Sequence, residues 1–211
     1  LGDVYKRQVT ELTIGDRVMS LGRTNWAEEI QVPAKAVVKV PKDADMHQLS
    51  MLKVNPATAK FLLERYVKLQ PGDWVIQNAA NSAVGRYIIQ LAHTKGVKTL
   101  NVVRRSELVE ELREMGADMV LVDGDDLAER VRAELGDANI PLAIDAVAGK
   151  GTLNLGGALS EGGTVVNYGL LSGEPCQLTP EMVAFKGITL TGLWLAKSLG
   201  TMPPEEVQTL Y

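Results

Sequence analysis

The chain has 211 residues, 45% hydrophobic and 23% charged, which excludes disorder as its main state and allows one large domain or one and a half. Its net charge of -4, from 22 Lys and Arg against 26 Asp and Glu, gives no footing for nucleic acid, whose phosphates need clustered cations. With Cys176, His47 and His93 as its only cysteine and histidines, it can build neither an internal disulfide nor a thiolate or Cys/His zinc site, and no membrane span or secretory apolar core is present, so it reads as cytoplasmic.

Residues 1–8 have no period and read as a non-native leader. Residues 9–54 read as the C-terminal part of a β-domain. The Gly15-Asp16 turn launches a strand at 17–21, and 29–32 and 36–40 are strand-like between prolines. Two or three strands are too few to close a core, so the beginning of that domain is expected to be absent.

From residue 55 to 211 strands and helices alternate. A strand at 74–79 follows the turn Pro71-Gly72-Asp73, and Val84, Ile88, Leu91 and Ala92 then recur on one helix face. The next strand is 99–103, after which Ser106 is expected to cap a helix carrying Leu108, Leu112 and Met115, stopped by Gly116. A strand at 119–122 precedes a third helix, with Asp126 and Glu129 at capping-box spacing, Leu127, Val131 and Leu135 on its buried side and Gly136 ending it. Further strands are predicted at 142–147, 163–168 and 188–195. Continuous apolar strands separated by amphipathic helices imply an α/β fold with a doubly wound parallel sheet.

Between the first strand and first helix of this half lies Asn78-Ala79-Ala80-Asn81-Ser82-Ala83-Val84-Gly85. A dinucleotide fold needs small side chains there, so that backbone amides and the helix N-terminus can approach a pyrophosphate. Against G-x-G-x-x-G the hexad from Ala80 keeps only the last glycine. An ordinary strand-to-helix turn would also satisfy it; the βα context on both sides points to nucleotide binding. At the end of the second strand, where an acid would accept the ribose 2'-hydroxyl of NAD, stand Arg104 and Arg105. Paired guanidinium donors suit a 2'-phosphate and favour the phosphorylated cofactor. The alternative is that both merely complement Glu107 and Glu110.

Tyr168-Gly169-Leu170-Leu171 and Leu193-Trp194-Leu195-Ala196 follow the fifth and sixth strands, at the sheet edge where ligands collect, though a tight turn and a core strand would explain them equally. Asp145, inside an apolar strand, is either functional or a strand-end carboxylate satisfied by nearby amides, and the second reading is preferred. No Ser/His/Asp or activated-thiol arrangement involves His47, His93 or Cys176.

Val54-Asn55-Pro56-Ala57-Thr58-Ala59, the run from Leu69 through Ala79, Asn81-Ser82-Ala83-Val84-Gly85, Asn101-Val102-Val103-Arg104, Gly162-Gly163-Thr164 and Gly192-Leu193-Trp194-Leu195 together resemble the zinc-free branch of the medium-chain dehydrogenase/reductase superfamily. The likeness runs from about Ile14 to the end and is greatest to 2-enoyl thioester reductases, with quinone-oxidoreductase-like proteins as near relatives. It implies a partial GroES-like β-domain followed by a Rossmann domain, NADPH as hydride donor, a small-molecule substrate, and a homodimer joined through the Rossmann sheets. By the same likeness Asn55 contacts the cofactor, Asn81, Ser82, Ala83 and Val84 form the pyrophosphate turn, and Arg104 meets the 2'-phosphate. Ser106 stands where enoyl reductases often have a basic residue, and Arg105 is the candidate substitute. Residues 168–171 and 193–196 then fall on the nicotinamide side.

The implied reaction delivers hydride to an alkene conjugated to a carbonyl, most closely a 2-enoyl thioester; the alternatives are a quinone reductase, or a fragment that binds nucleotide without turnover. In the enoyl reductases a tyrosine in the first half of the β-domain is associated with the proton. Tyr5, Tyr66, Tyr87, Tyr168 and Tyr211 do not match its motif, so no catalytic residue is assigned, and the chain is expected to be truncated at both ends.

Overall fold

The computed structural model describes residues 9–22 and 25–211, and the expected leader at 1–8 lies outside them. A short antiparallel pair comes first, β1 (Val18–Ser20) and β2 (Val37–Lys39), followed by helices α1 (Met46–Met51) and α2 (Asn55–Glu64). The strands and helices of the remainder alternate as β3 (Trp74–Gln77), α3 (Ala83–Thr94), β4 (Lys98–Val103), α4 (Val109–Glu114), β5 (Met119–Val122), α5 (Leu127–Leu135), β6 (Leu142–Asp145), α6 (Lys150–Ala158), β7 (Thr164–Asn167), α7 (Pro180–Ala184) and β8 (Thr189–Gly192). Two more helices follow, α8 (Leu195–Gly200) and α9 (Pro204–Leu210).

The six strands from β3 onward form one parallel sheet in the order β5-β4-β3-β6-β7-β8. Counted within the sheet this is 3-2-1-4-5-6, the doubly wound Rossmann order, with its reversal between β3 and β6. Both faces are covered because the strands are apolar on both. Val75, Leu142, Ile144 and Val166 pack with α2, α3 and the last two helices, while Trp74, Ile76, Leu100 and Ala143 pack against α5 and α6. Alternation along β3 sends Val75 to one face and its neighbours to the other.

The predicted face of α3 holds: Ile88 and Ala92 are fully buried and Val84 nearly so. Local caps diverge more. Ser106 opens a short 3-10 turn, and α4 starts after it without a side-chain cap. Asp126 precedes α5 but accepts no capping bond; its carboxylate pairs instead with Arg130 at 3.0 Å, a stronger partner for an anion than a neutral amide. Residues 29–32 form no strand. They run over the surface with Ile30 exposed and pair with no strand among the described residues. The last strand stops at Gly192, short of 195, because Leu195 already begins α8.

Gly85 sits where the turn after β3 folds back on α3. A Cβ there would fall well inside contact distance of the Ala80 backbone carbonyl, which cannot move without opening the turn. Gly85→Ala should therefore destabilise the protein by about 1 to 3 kcal/mol in urea denaturation; a loss within error would show that the turn yields freely.

Candidate functional site

Site residues gather at the carboxyl ends of β3, β4, β6 and β7, around the reversal in strand order. Ser82 caps α3, its hydroxyl accepting from the Gly85 amide at 3.2 Å, so the first turn of a 12-residue helix presents its amides at the crevice mouth. Arg86 clamps the turn from below, donating to the Asn81 carbonyl at 3.1 Å while pairing with Glu111. Ala79 adopts a left-handed conformation (φ 47), so the chain makes without glycine the bend for which dinucleotide folds commonly use one.

Ala79, Asn81 and Ser82 line a cavity of about 430 Å³ whose wall also includes Arg104, Arg105, Asp123 and Leu171. The structure thus brings the expected pyrophosphate turn and both arginines to one crevice. It also separates the arginines. Arg105 pairs with Glu107 at 3.5 Å, as the charge-complement reading anticipates, whereas the Arg104 guanidinium has no hydrogen-bond or ion-pair partner among the described residues.

Beneath the crevice lies Asp145, fully buried at the end of β6. Its carboxylate accepts from Asn78 Nδ2 (2.7 Å), the amides of Val147 (2.9 Å) and Ala148 (3.0 Å), the Thr152 hydroxyl (2.6 Å) and Asn167 Nδ2 (3.1 Å). Nearby amides do satisfy it, as expected, but side chains from β3, β7 and α6 join them. Asn167 also donates to the Gly169 carbonyl at 2.8 Å, and Asn78 Oδ1 accepts from the Ala146 amide at 2.8 Å. One carboxylate thereby orients the loops after three neighbouring strands. Sequence reading missed Asp123, Val147 and Ser172 as crevice residues; they lie in the segments after β5, β6 and β7, and only strand order predicts that those segments meet.

Tyr168 is half-buried, and burial pushes its hydroxyl above the ordinary tyrosine value; the Ser82 hydroxyl opposes the rise and the Asp145 charge adds to it. Gly169 permits a close approach: a Cβ there would lie 2.5 Å from the Ala146 carbonyl oxygen. Leu170 and Trp194 point outward, 75% and 68% exposed, so the core-packing explanation of Trp194 does not hold. Leu193 is buried behind the loop, while Leu195 and Ala196 line a separate, apolar cavity of about 660 Å³ with Leu21, Leu199 and Met202. Ala83 and Val84 form the first turn of α3; Asn55 begins α2, half-buried and outside the crevice lining.

A family profile described as zinc-binding dehydrogenase matches residues 83–210. The chain belongs to that family. Among curated relatives, the mitochondrial enoyl-[acyl-carrier-protein] reductase of Rattus norvegicus is 36% identical over 209 residues, covering 96% of this chain and 56% of that protein. The one from Dictyostelium discoideum is 37% identical over 191 residues, covering 88% and 53%. The chain spans about half the length of these curated relatives. Among solved structures, an Etr1p complex with NADP and crotonyl-CoA superposes with a TM-score of 0.76 at 28% identity, covering 82% of this chain and 53% of that one. A mycobacterial protein complexed with NADPH gives 0.85 at 26% identity, covering 100% and 65%.

The chain thus lies in the medium-chain dehydrogenase/reductase superfamily, with enoyl reductases and an NADPH:quinone reductase among its neighbours. Among its described residues no group of three or more His, Cys, Asp or Glu side chains could hold a metal ion, and no helix is long and apolar enough to cross a membrane.

Replacing Asp145 by Ala would strand buried donors from Asn78, Thr152 and two backbone amides. The protein should lose roughly 3 kcal/mol or more of stability, measured by denaturant unfolding, because each orphaned buried group bears its own desolvation cost. A loss below 1 kcal/mol would mean that solvent reaches the hub.

Proposed function

We propose that this chain forms the cofactor-binding part of an NADPH-dependent oxidoreductase that transfers hydride to an alkene conjugated to a carbonyl, with a 2-enoyl thioester as substrate. The observation that carries the reading is the unpaired Arg104 guanidinium in the same crevice as Asn81 and Ser82. A cation without a protein partner beside a helix N-terminus suits a ligand with two anionic groups, a pyrophosphate and a phosphomonoester. In this reading residues 9–54 are the end of a β-domain and 55–211 the cofactor domain. The amides from Asn81 to Val84 hold the pyrophosphate, Arg104 takes the 2'-phosphate with Arg105 at its flank, and Asn55 approaches from α2.

When bound, NADPH supplies the hydride. Tyr168, Gly169, Leu170 and Leu171 border the nicotinamide on one side, and Leu193, Trp194, Leu195 and Ala196 on the other. The apolar cavity walled by Leu195, Ala196 and Leu199 excludes water and has the chemistry to accept an acyl tail, which favours a thioester over a polar substrate. The names and titles of the enoyl reductase relatives support the same substrate class. We assign the protein to a reducing aqueous compartment, in our reading the cytoplasm.

For assembly we propose a homodimer. Strand β8 pairs with β7 on one side only, its Leu190 is 41% exposed, and the adjoining Val183 and Phe185 are exposed as well. An unpaired edge beside apolar side chains suits pairing with a second copy. A solved structural relative is a Candida tropicalis Etr1p/Etr2p heterodimer.

Arg104→Ala should weaken NADPH binding by about 1.5 to 3 kcal/mol, read by cofactor fluorescence, and hardly change NADH binding. Equal losses for both would overturn the assignment of Arg104. In the full-length polypeptide, crotonyl-thioester reduction should exceed quinone reduction, and the reverse order would replace the substrate class. Leu190→Lys, which sets like charges across the edge, should weaken the dimer about tenfold in sedimentation equilibrium; an unaffected dimer would locate the interface elsewhere.

A further inference from the structure

Gln77 closes β3 and Asn101 lies opposite it in the β3–β4 register; both side chains are fully buried. Gln77 Nε2 donates to Asn101 Oδ1 at 2.7 Å and to the Gly85 carbonyl in the first turn of α3 at 3.0 Å. Asn101 Nδ2 donates in turn to the Thr99 carbonyl (3.2 Å), the Thr99 hydroxyl (3.0 Å) and the Met119 carbonyl on β5 (3.0 Å). This chain of bonds runs from α3 across three strands, under the crevice and three residues before Arg104.

Strand pairing does not require it, since the backbone ladder already joins β3 to β4. Stability does not explain it either: Gln77 Oε1 finds no donor among the described residues, and an orphaned buried acceptor is a cost that methionine or leucine would avoid. Exchanging the Gln77 amide ends would set its oxygen against two other acceptors, so the orientation is determined by its partners.

What the pair adds is a tie between the first turn of α3 and the strand that ends in Arg104. We infer that Gln77 and Asn101 are positioning residues that fix the spacing between the pyrophosphate amides of the turn and the Arg104 guanidinium, and so set the affinity for a ligand that must engage both at once. This rests on the nucleotide reading above. A ligand that touches only Arg104 is insensitive to the tie, while a ligand bridging both anchors depends on it.

The test uses the Gln77→Met/Asn101→Leu double variant, which removes both polar partners together and fills their space. Amide hydrogen exchange without any ligand should accelerate at least tenfold over residues 83–86 while β3 and β4 keep their protection. NADPH should bind about tenfold more weakly, and adenosine 2'-monophosphate, which reaches only the Arg104 end, within twofold of the parent. Unchanged exchange in the α3 turn, or equal weakening of both ligands, would overturn the inference. Should the parent bind neither ligand, the nucleotide reading fails, and the exchange result still decides whether the pair holds the turn. Should the double variant not fold, Gln77→Met alone is measured in the same way, with the same two outcomes deciding.

Discussion

A carboxylate buried at the centre of the sheet is the constraint around which the functional end of this domain is arranged. Removing Asp145 from water would cost several kcal/mol if it stood alone, so the fold must supply donors wherever that group lies. It does so from β3 through Asn78, from β7 through Asn167, from α6 through Thr152 and from the amides that follow β6. The donors that follow β3 and β6, and Asn167 at the end of β7, belong to segments that border the crevice. The same bonds that satisfy the charge therefore dictate where the loops after β3, β6 and β7 stand. They also hold Ala148 in a left-handed conformation (φ 66), since its amide is one of the donors.

The sheet divides along its strands as a result. Its body is apolar: Val75, Ile76, Leu100, Leu142 and Ile144 are wholly buried, and hydrophobic burial there drives folding. Its carboxyl end is polar, with Gln77, Asn78, Asn101 and Asp145 almost fully enclosed yet hydrogen-bonded. Apolar packing tolerates small shifts of one side chain past another, whereas a directional network allows few arrangements. The end that must match a ligand is thus the end built from groups with fixed geometry.

That division explains what the sequence reveals. Strands and helix faces announce themselves through local period, so β3, α3, β4 and β5 are legible to within a residue or two. Caps are less so, because Ser106 and Asp126 have competing uses that spacing does not show. In the site, the small residues of the turn and the cationic strand end carry a chemical meaning that can be read directly. The Asp145 hub cannot be read in that way: Asn78 is 67 residues away and Asn167 is 22, and neither looks unusual in its own neighbourhood. Local pattern alone does not separate the two adjacent arginines, and only the family likeness singles out Arg104. The structure adds a physical difference, because Glu107 engages Arg105 while both arginines border the crevice.

Placement of the two cavities follows from where the polar network stops. Around β3 and β4 the strand ends carry the helix N-terminus and a cation, so the smaller cavity, about 430 Å³, has the character of an anion site. Beyond β8 the chain turns into α8, and the lining passes to Leu195, Ala196, Leu199 and Met202, which leaves the larger cavity apolar. Tyr168, in the segment after β7, packs against the core that includes Leu193. A ligand with a charged end and an uncharged redox end would have to run along this gradient, from fixed donors toward apolar walls. On the proposed reading the helix N-terminus and the Arg104 cation at one end and the apolar side chains of Leu195, Ala196 and Leu199 at the other set its orientation, because charged phosphates lose more solvation than an uncharged ring does on entering apolar walls.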